Sequence, residues 1–224
     1  MKPEAIIEDA LARKLKALSE FDSKRLLKAY GVAVTKEELV STSADAVKAA
    51  QALGYPVVMK ACGPEITHKT EKRLVEIGIG DDERVVRAFA ELTARVGGTS
   101  DILVQEMIAG RRELLLGMTR DPLYGPCVTF GLGGIFTEIL NDVSCRIAPF
   151  ARADADAMLD EIRGNAILGA VRGMGAVDRG ALCDALTGLA RLALEHDEIK
   201  EIDVNPVIIA EGRPVAVDAL VVLG

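Results

Sequence analysis

Tyr55-Pro-Val-Val-Met-Lys60-Ala-Cys-Gly-Pro-Glu-Ile-Thr-His68-Lys69-Thr70 runs from a short apolar segment, Val57 to Met59, through a lysine into a loop. The apolar run has strand character, and Gly63-Pro64 ends it. A lysine that closes a strand sets a compact cation at a sheet edge, where an anion such as phosphate can be held. His68 is one of only 2 histidines in 224 residues, and it stands beside a cation and hydroxyls. These residues alone leave two readings open. One is an ordinary strand end with a solvated loop, and the other is an anion site with a histidine next to it.

The length suits one domain or two small ones, with room for a sizeable core. Half of the residues are apolar, but tryptophan is absent and aromatics make up 4%, so Val, Leu, Ile and Ala must fill that core. Lys and Arg number 27 against 34 Asp and Glu, a net charge of -7. That balance argues against a dedicated nucleic-acid binder, which would show a basic face. Any phosphate ligand must therefore find local cations or backbone amides. The four cysteines, at 62, 127, 145 and 183, show no CxxC spacing, and the start Met1-Lys-Pro-Glu-Ala has no secretory apolar segment. Reduced thiols and a cytoplasmic location are expected. No run of about 18 apolar residues is present, so no membrane span is expected.

Hydrophobic periodicity predicts a helix over residues 3–18 and a second one capped by Ser19 or Asp22 and ending at Tyr30 before Gly31. Short strands at Val32–Val34 and Glu38–Ser41 follow, then a helix capped by Ser43 and stopped at Gly54. Leu74–Ile79 alternates like a strand, and Asp81 and Asp82 suit the start of a helix reaching Val96. Beyond it, Ile102–Ile108 and Glu113–Thr119 read as strands. The turn cluster Asp121-Pro-Leu-Tyr-Gly125-Pro126 predicts antiparallel pairing with Cys127–Phe130. Ile135–Leu140 and Cys145–Ala148 are further strands, and 153–163 and 178–195 are helices. A hairpin closes the chain, with Ile199–Ile209 running out and Pro214–Val222 returning. Helices mixed with antiparallel hairpins indicate an α+β protein of two lobes.

Two further stretches carry candidate chemistry. Gly131-Leu-Gly133-Gly134 places three glycines in four positions, which lets backbone amides approach a phosphate or other anion; a plain hairpin turn fits equally well. The loop is neither a P-loop nor a dinucleotide fingerprint. In the final hairpin, Asp203 and Asn205 share one strand face by the two-residue period, and a returning strand can bring Asp218 beside them. Such hard oxygens suit Mg²⁺ with nucleotide phosphates. An acid inside the apolar run 215–222 is costly if buried without a cation. Glu106, Glu113 and Arg146 read as ordinary surface charges on composition alone, and His196 as a helix-end residue.

Taken in order, the segments resemble the ATP-grasp β subunit of NDP-forming acyl-CoA synthetases, above all ADP-forming acetate–CoA ligase. The stretches that carry the resemblance are Ser23-Lys-Arg-Leu-Leu-Lys-Ala-Tyr-Gly31-Val, Gly54-Tyr-Pro-Val-Val-Met-Lys60, Ile66-Thr-His68-Lys69-Thr70 and Leu103-Val-Gln-Glu106-Met. Thr119-Arg-Asp-Pro122, Phe130-Gly-Leu-Gly-Gly134, Arg146-Ile-Ala-Pro149 and Asp203-Val-Asn205-Pro206 continue it. It covers the chain from about Leu18 onward.

The resemblance implies an ATP-grasp fold, with an N-terminal helical segment over 1–20, a first lobe with the histidine loop over 21–101, and a second lobe over 102–224. ATP or ADP would lie between the lobes. Lys60 would contact its phosphates, Glu106, Met107 and Ile108 would form the hinge at adenine, and Glu113 would contact ribose. Gly133 and Gly134 would present amides to phosphate, and Arg146 would add a cation. Asn205 and Asp218 would hold Mg²⁺. His68 would carry phosphate as phosphohistidine, positioned by Asp203, toward a CoA-binding α subunit in a hetero-oligomer. Acid and CoA would bind through that partner. The implied reaction is acyl-CoA + ADP + phosphate to acid + CoA + ATP, reversibly. A neutral imidazole is a competent nucleophile near neutral pH, which suits such a relay.

One departure stands out. Where the family continues past its histidine with a Val-Gly-Gly-Val run, this chain has Lys72-Arg73-Leu74-Val75. Arg73 can supply charge where glycine amides served, leaving the enzyme active. Alternatively, the chain is a degenerate nucleotide-binding module. An ATP-grasp carboxylate–amine ligase, which needs no histidine, is a third expectation.

Overall fold

The computed structural model describes residues 3–63, 74–97, 101–134 and 142–224. Contacts divide the chain into two compact units. One comprises Met1–Leu18, Asp22–Val34 and Ile108–Gly224, and the other Ser19–Phe21 and Thr35–Met107. The expected segments 1–20, 21–101 and 102–224 thus divide the chain elsewhere. Helices α1 (Pro3–Ala12) and α2 (Glu20–Ala29) send Ile6, Ile7, Leu26 and Leu27 into the core of the larger unit. Strand β4 (Asp101–Glu106) belongs to the sheet of the smaller one.

The smaller unit is a four-stranded antiparallel sheet in the order β1-β4-β2-β3, where β1 is Glu37–Val40, β2 is Val57–Cys62 and β3 is Val75–Ile79. Helices α3 (Ser43–Leu53) and α4 (Asp82–Arg95) pack on it. Thr42 caps α3 through a hydrogen bond from the Asp45 amide, while Ser43, the expected cap, is the first helical residue. Asp81 caps α4 by accepting the Arg84 amide at 2.8 Å. Every residue of β2 is buried. Alternation sends Val57, Met59 and Ala61 into the helix-packed core and turns Val58, Lys60 and Cys62 to the opposite face.

In the larger unit, β5 (Glu113–Asp121), β6 (Gly125–Leu132), β7 (Val143–Ile147), β8 (Ile199–Ala210) and β10 (Leu220–Leu223) form the sheet path β10-β8-β5-β6-β7, and β9 (Arg213–Ala216) pairs with β8. The β5–β6 hairpin has the expected antiparallel register, Thr119 opposite Cys127. Helices α5 (Arg152–Glu161) and α6 (Arg179–Glu195) cover one face. Nine of the α6 residues are buried against it, which is why this helix tolerates few polar positions on that side. Gly188 is required where α6 crosses the end of α2, since a Cβ there would collide with the Tyr30 carbonyl. The two antiparallel sheets with their helices are the α+β architecture that the sequence predicts.

Several local expectations are corrected. The first helix ends at Ala12 rather than 18, because Lys14, at φ 57, turns the chain out of it. Val32–Val34 is not a strand; Val34 makes only an isolated bridge to Ala216. The returning strand 214–222 is broken into β9 and β10, with Val217, Asp218 and Ala219 between them. Not all cysteines are thiols: Cys127 and Cys145, on neighbouring strands, form a disulfide with Cα atoms 6.6 Å apart, while Cys62 and Cys183 are free and buried. The expected strand 135–140 lies outside the described residues. Among the described residues, no helix is long and apolar enough to cross a membrane.

Candidate functional site

The larger unit gathers Glu113, Asp203 and Asn205 on the sheet face opposite α5 and α6. Along β5, Leu114, Leu116 and Met118 are buried in the helix-packed core, so Glu113 and Gly117 turn the other way. On β8, Ile202 and Val204 likewise enter the core, and Asp203 and Asn205 share the face of Glu113. A register shift between Leu114 and Leu116 accommodates the pairing with β8.

Glycine chemistry closes the arrangement. The Gly133 amide donates to the Glu113 carbonyl at 2.8 Å, and a Cβ on Gly133 would lie 2.6 Å from the Leu114 carbonyl oxygen. Gly134 adopts φ 64, a left-handed conformation that favours glycine, and its amide donates to Asn205 Oδ1 at 3.4 Å. A Cβ on Gly134 would collide with the Glu113 carboxylate. Glu113, the glycine pair and Asn205 are thereby held in one constellation.

Asp218 sits in the break between β9 and β10, where Val217 donates its amide to the Pro206 carbonyl at 3.0 Å. One Asp218 carboxylate oxygen accepts the Ala219 amide at 2.9 Å. The neighbouring Asp203 carboxyl is pushed up to about 6, first by burial and then by the charges of Glu201 and Asp218. Negative potential is therefore concentrated here. Among the described residues no cluster of three His, Cys, Asp or Glu side chains forms a metal centre. Asp203 and Asp218 are near enough for their charges to interact, and Asn205 shares the strand face of Asp203. Mg²⁺ commonly takes one or two carboxylates and completes its shell with water and phosphate oxygens, so the donor set fits that ion.

In the smaller unit, Lys60 Nζ contacts Glu20 Oε1 at 2.7 Å, with side-chain exposures of 5% and 0%. Glu106 is pinned at the end of β4. Its carboxylate accepts the Lys36 amide at 2.7 Å while its own amide donates to the Lys36 carbonyl at 3.0 Å. Met107 and Ile108 stand where the chain passes from one unit to the other.

Arg146 is not brought to this constellation. Ser144 on β7 is buried and donates to the Met158 carbonyl of α5, and Arg146, two residues on, shares that side. Its guanidinium makes two hydrogen bonds to Glu161. His68 lies outside the described residues, as do Lys69, Thr70 and Arg73. His196 caps the C-terminal end of α6, with Nε2 3.2 Å from the Tyr30 hydroxyl, in keeping with a helix-end role. Glu20 was missed by sequence reasoning; a lone acid at a helix start carries no signal that it will be buried against a lysine forty residues away.

Comparison with known proteins identifies the family. The ATP-grasp domain family matches residues 9–223. The β subunit of ADP-forming acetate–CoA ligase I from Pyrococcus furiosus is 41% identical, over 99% of this chain and 98% of that protein. ADP-forming acetate–CoA ligase I from Archaeoglobus fulgidus is 36% identical over 100% of this chain, which spans 33% of that longer protein. Among solved structures, acetyl-coenzyme A synthetase 1 of Ca. Korarchaeum cryptofilum is similar at a TM-score of 0.88 and 35% identity, with both chains fully covered. That structure is a complex with coenzyme A and Mg-AMPPCP, its phosphohistidine segment pointing towards the nucleotide-binding site.

Proposed function

The chain belongs to the ATP-grasp family, among the β subunits of ADP-forming acyl-CoA synthetases, and on that premise we propose that it works by a phosphohistidine relay through His68. It interconverts acyl-CoA, ADP and phosphate with acid, CoA and ATP, in the cytoplasm, together with a CoA-binding α subunit. The observation that carries the reading is the constellation of Glu113, the Gly134 amide and Asn205, with the raised Asp203 carboxyl beside it and Asp218 close enough to act on that carboxyl. It supplies what a nucleotide with its cation needs, an amide for phosphate and hard oxygens for the ion.

Lys60 contacts the nucleotide phosphates, Glu106 with Met107 and Ile108 receives adenine, and Glu113 holds ribose. Asn205 and Asp218 would hold Mg²⁺, which neutralises charge on the phosphate oxygens when bound. In the direction of ATP use, an unprotonated His68 nitrogen attacks the γ-phosphorus. A nitrogen–phosphorus bond forms, the bond to the ADP oxygen breaks, and ADP leaves with the electron pair. Asp203, ionised at neutral pH, would help position the phosphohistidine, since a carboxylate can keep the imidazole proton on the nitrogen that does not react. The reverse sequence makes ATP. Arg146 is omitted because its guanidinium is engaged on the helix face.

The test uses γ-labelled ATP with Mg²⁺, on wild type and His68→Ala, with and without an α subunit. Acid-labile, base-stable label on wild type alone is the expected result. Absence of label on wild type with the α subunit present, despite measurable ATP binding, would replace the relay by a nucleotide-binding module.

A further inference from the structure

Lys60 is an unusual residue to find in the middle of a sheet. It occupies a strand whose six residues are all buried, between β4 and β3, with Leu103 and Val75 as its register partners. An ammonium in such surroundings loses its charge unless an anion faces it. Glu20, the first residue of α2, faces it at 2.7 Å with its own side chain fully buried. A carboxylate is also costly to bury alone, so the pairing lowers the cost of burying both charges.

We propose that Glu20 is a positioning residue, which holds the Lys60 ammonium charged and fixed for the phosphates of the nucleotide. This rests on the reading that Lys60 contacts those phosphates. A flexible four-carbon stem has many rotamers, and a buried partner at its tip selects one before the nucleotide arrives. The contribution is to phosphate recognition and not to adenosine, since Lys60 lies mid-strand opposite Leu103 while the adenine residues begin at Glu106, the last residue of β4. Glu20 touches no reacting atom.

The experiment compares affinity for MgATP and for adenosine by calorimetry, on the full chain, for wild type, Glu20→Gln, Lys60→Met and the double variant. Glu20→Gln is expected to weaken MgATP binding by about tenfold, the scale on which a buried charged hydrogen bond acts, and to leave adenosine unchanged. In the Lys60→Met background, Glu20→Gln adds no further loss, because the group it positions is gone. Equal weakening of both ligands would make Glu20 a merely structural residue. Unchanged MgATP affinity in Glu20→Gln, with Lys60→Met weakened, overturns the positioning role alone. Unchanged MgATP affinity in Lys60→Met overturns the reading of Lys60 and the proposal with it. If Glu20→Gln does not fold, as judged by thermal melting, Glu20→Asp takes its place. It keeps the charge but shortens the reach, so the same selective loss for MgATP over adenosine is required of it.

Discussion

The Gly134 amide and the Asn205 side-chain oxygen meet at 3.4 Å, joining the glycine loop after β6 to the middle of β8, 71 residues later in the chain. That contact depends on Gly134 holding φ 64 with no side chain against Glu113. Gly134→Ala is therefore expected to strain the backbone by about 1–2 kcal/mol and displace the Glu113 carboxylate. Thermal melting should show a modest loss of stability, and nucleotide titration a loss of affinity of at least tenfold. Wild-type affinity in this variant would remove the loop from the binding site.

Asp203 gives a pH signature. Its carboxyl, raised to about 6 from the ordinary 3.8, makes a stabilising contribution that is fully present below the ordinary value and lost as pH rises through about 6. The loss is on the order of 2–3 kcal/mol, from roughly two pK units. Asp203→Asn, which cannot ionise, should be more stable than wild type at pH 7.5 and nearly equal to it at pH 4, by urea unfolding without divalent cations. The same variant should fail to accumulate phosphohistidine. Parallel stability curves for the two proteins across that range would contradict the assignment.

Mg²⁺ should protect the protein through the same hairpin. Adding Mg²⁺ with ADP is expected to raise the melting temperature of wild type, and chelation to reverse the rise. Asp218→Asn should lose most of the Mg²⁺-dependent part while keeping any nucleotide effect seen without the ion. An undiminished Mg²⁺ effect in Asp218→Asn would move the cation site elsewhere.

Arg146→Ala tests whether this guanidinium belongs to the site. Its pair with Glu161 is partly exposed, with side-chain exposures of 29% and 46%, so its removal should cost no more than about 1 kcal/mol. Nucleotide affinity should stay within twofold of wild type, since the guanidinium points to α5. A tenfold loss would return Arg146 to the site.

How much of this was readable beforehand depends on whether a feature is local. β2 announced itself through Val57–Met59, α4 through Asp81, and the β5–β6 hairpin through its proline- and glycine-rich turn, because each rests on neighbours in sequence. Arg146 lies apart from the other candidate residues for a physical reason. In β7 the apolar residues Val143 and Ile147 are exposed, while Ser144 is buried against α5, the reverse of the usual pattern. Alternation identifies two faces but not which one meets the helices. Asp218 is expected within a strand, and the break that takes it out of the ladder follows from the separate pairing of β9 and β10 along β8. Glu20 is buried only by tertiary contact, which no local pattern encodes.

The chain passes between its two units at 18/19, 21/22, 34/35 and 107/108, so the smaller unit is interposed within the larger. A cut at 107/108 cannot yield two self-sufficient halves. The fragment 108–224 would lack Ile6, Ile7, Leu26 and Leu27 from its apolar interior. Among the described residues, 35–107 contribute nothing to that apolar interior, although Ser19–Phe21 of the smaller unit lies between two segments of the larger one. A deletion within 35–107 would take Lys60 and Glu106 out of the proposed site while leaving the apolar interior of the larger unit untouched.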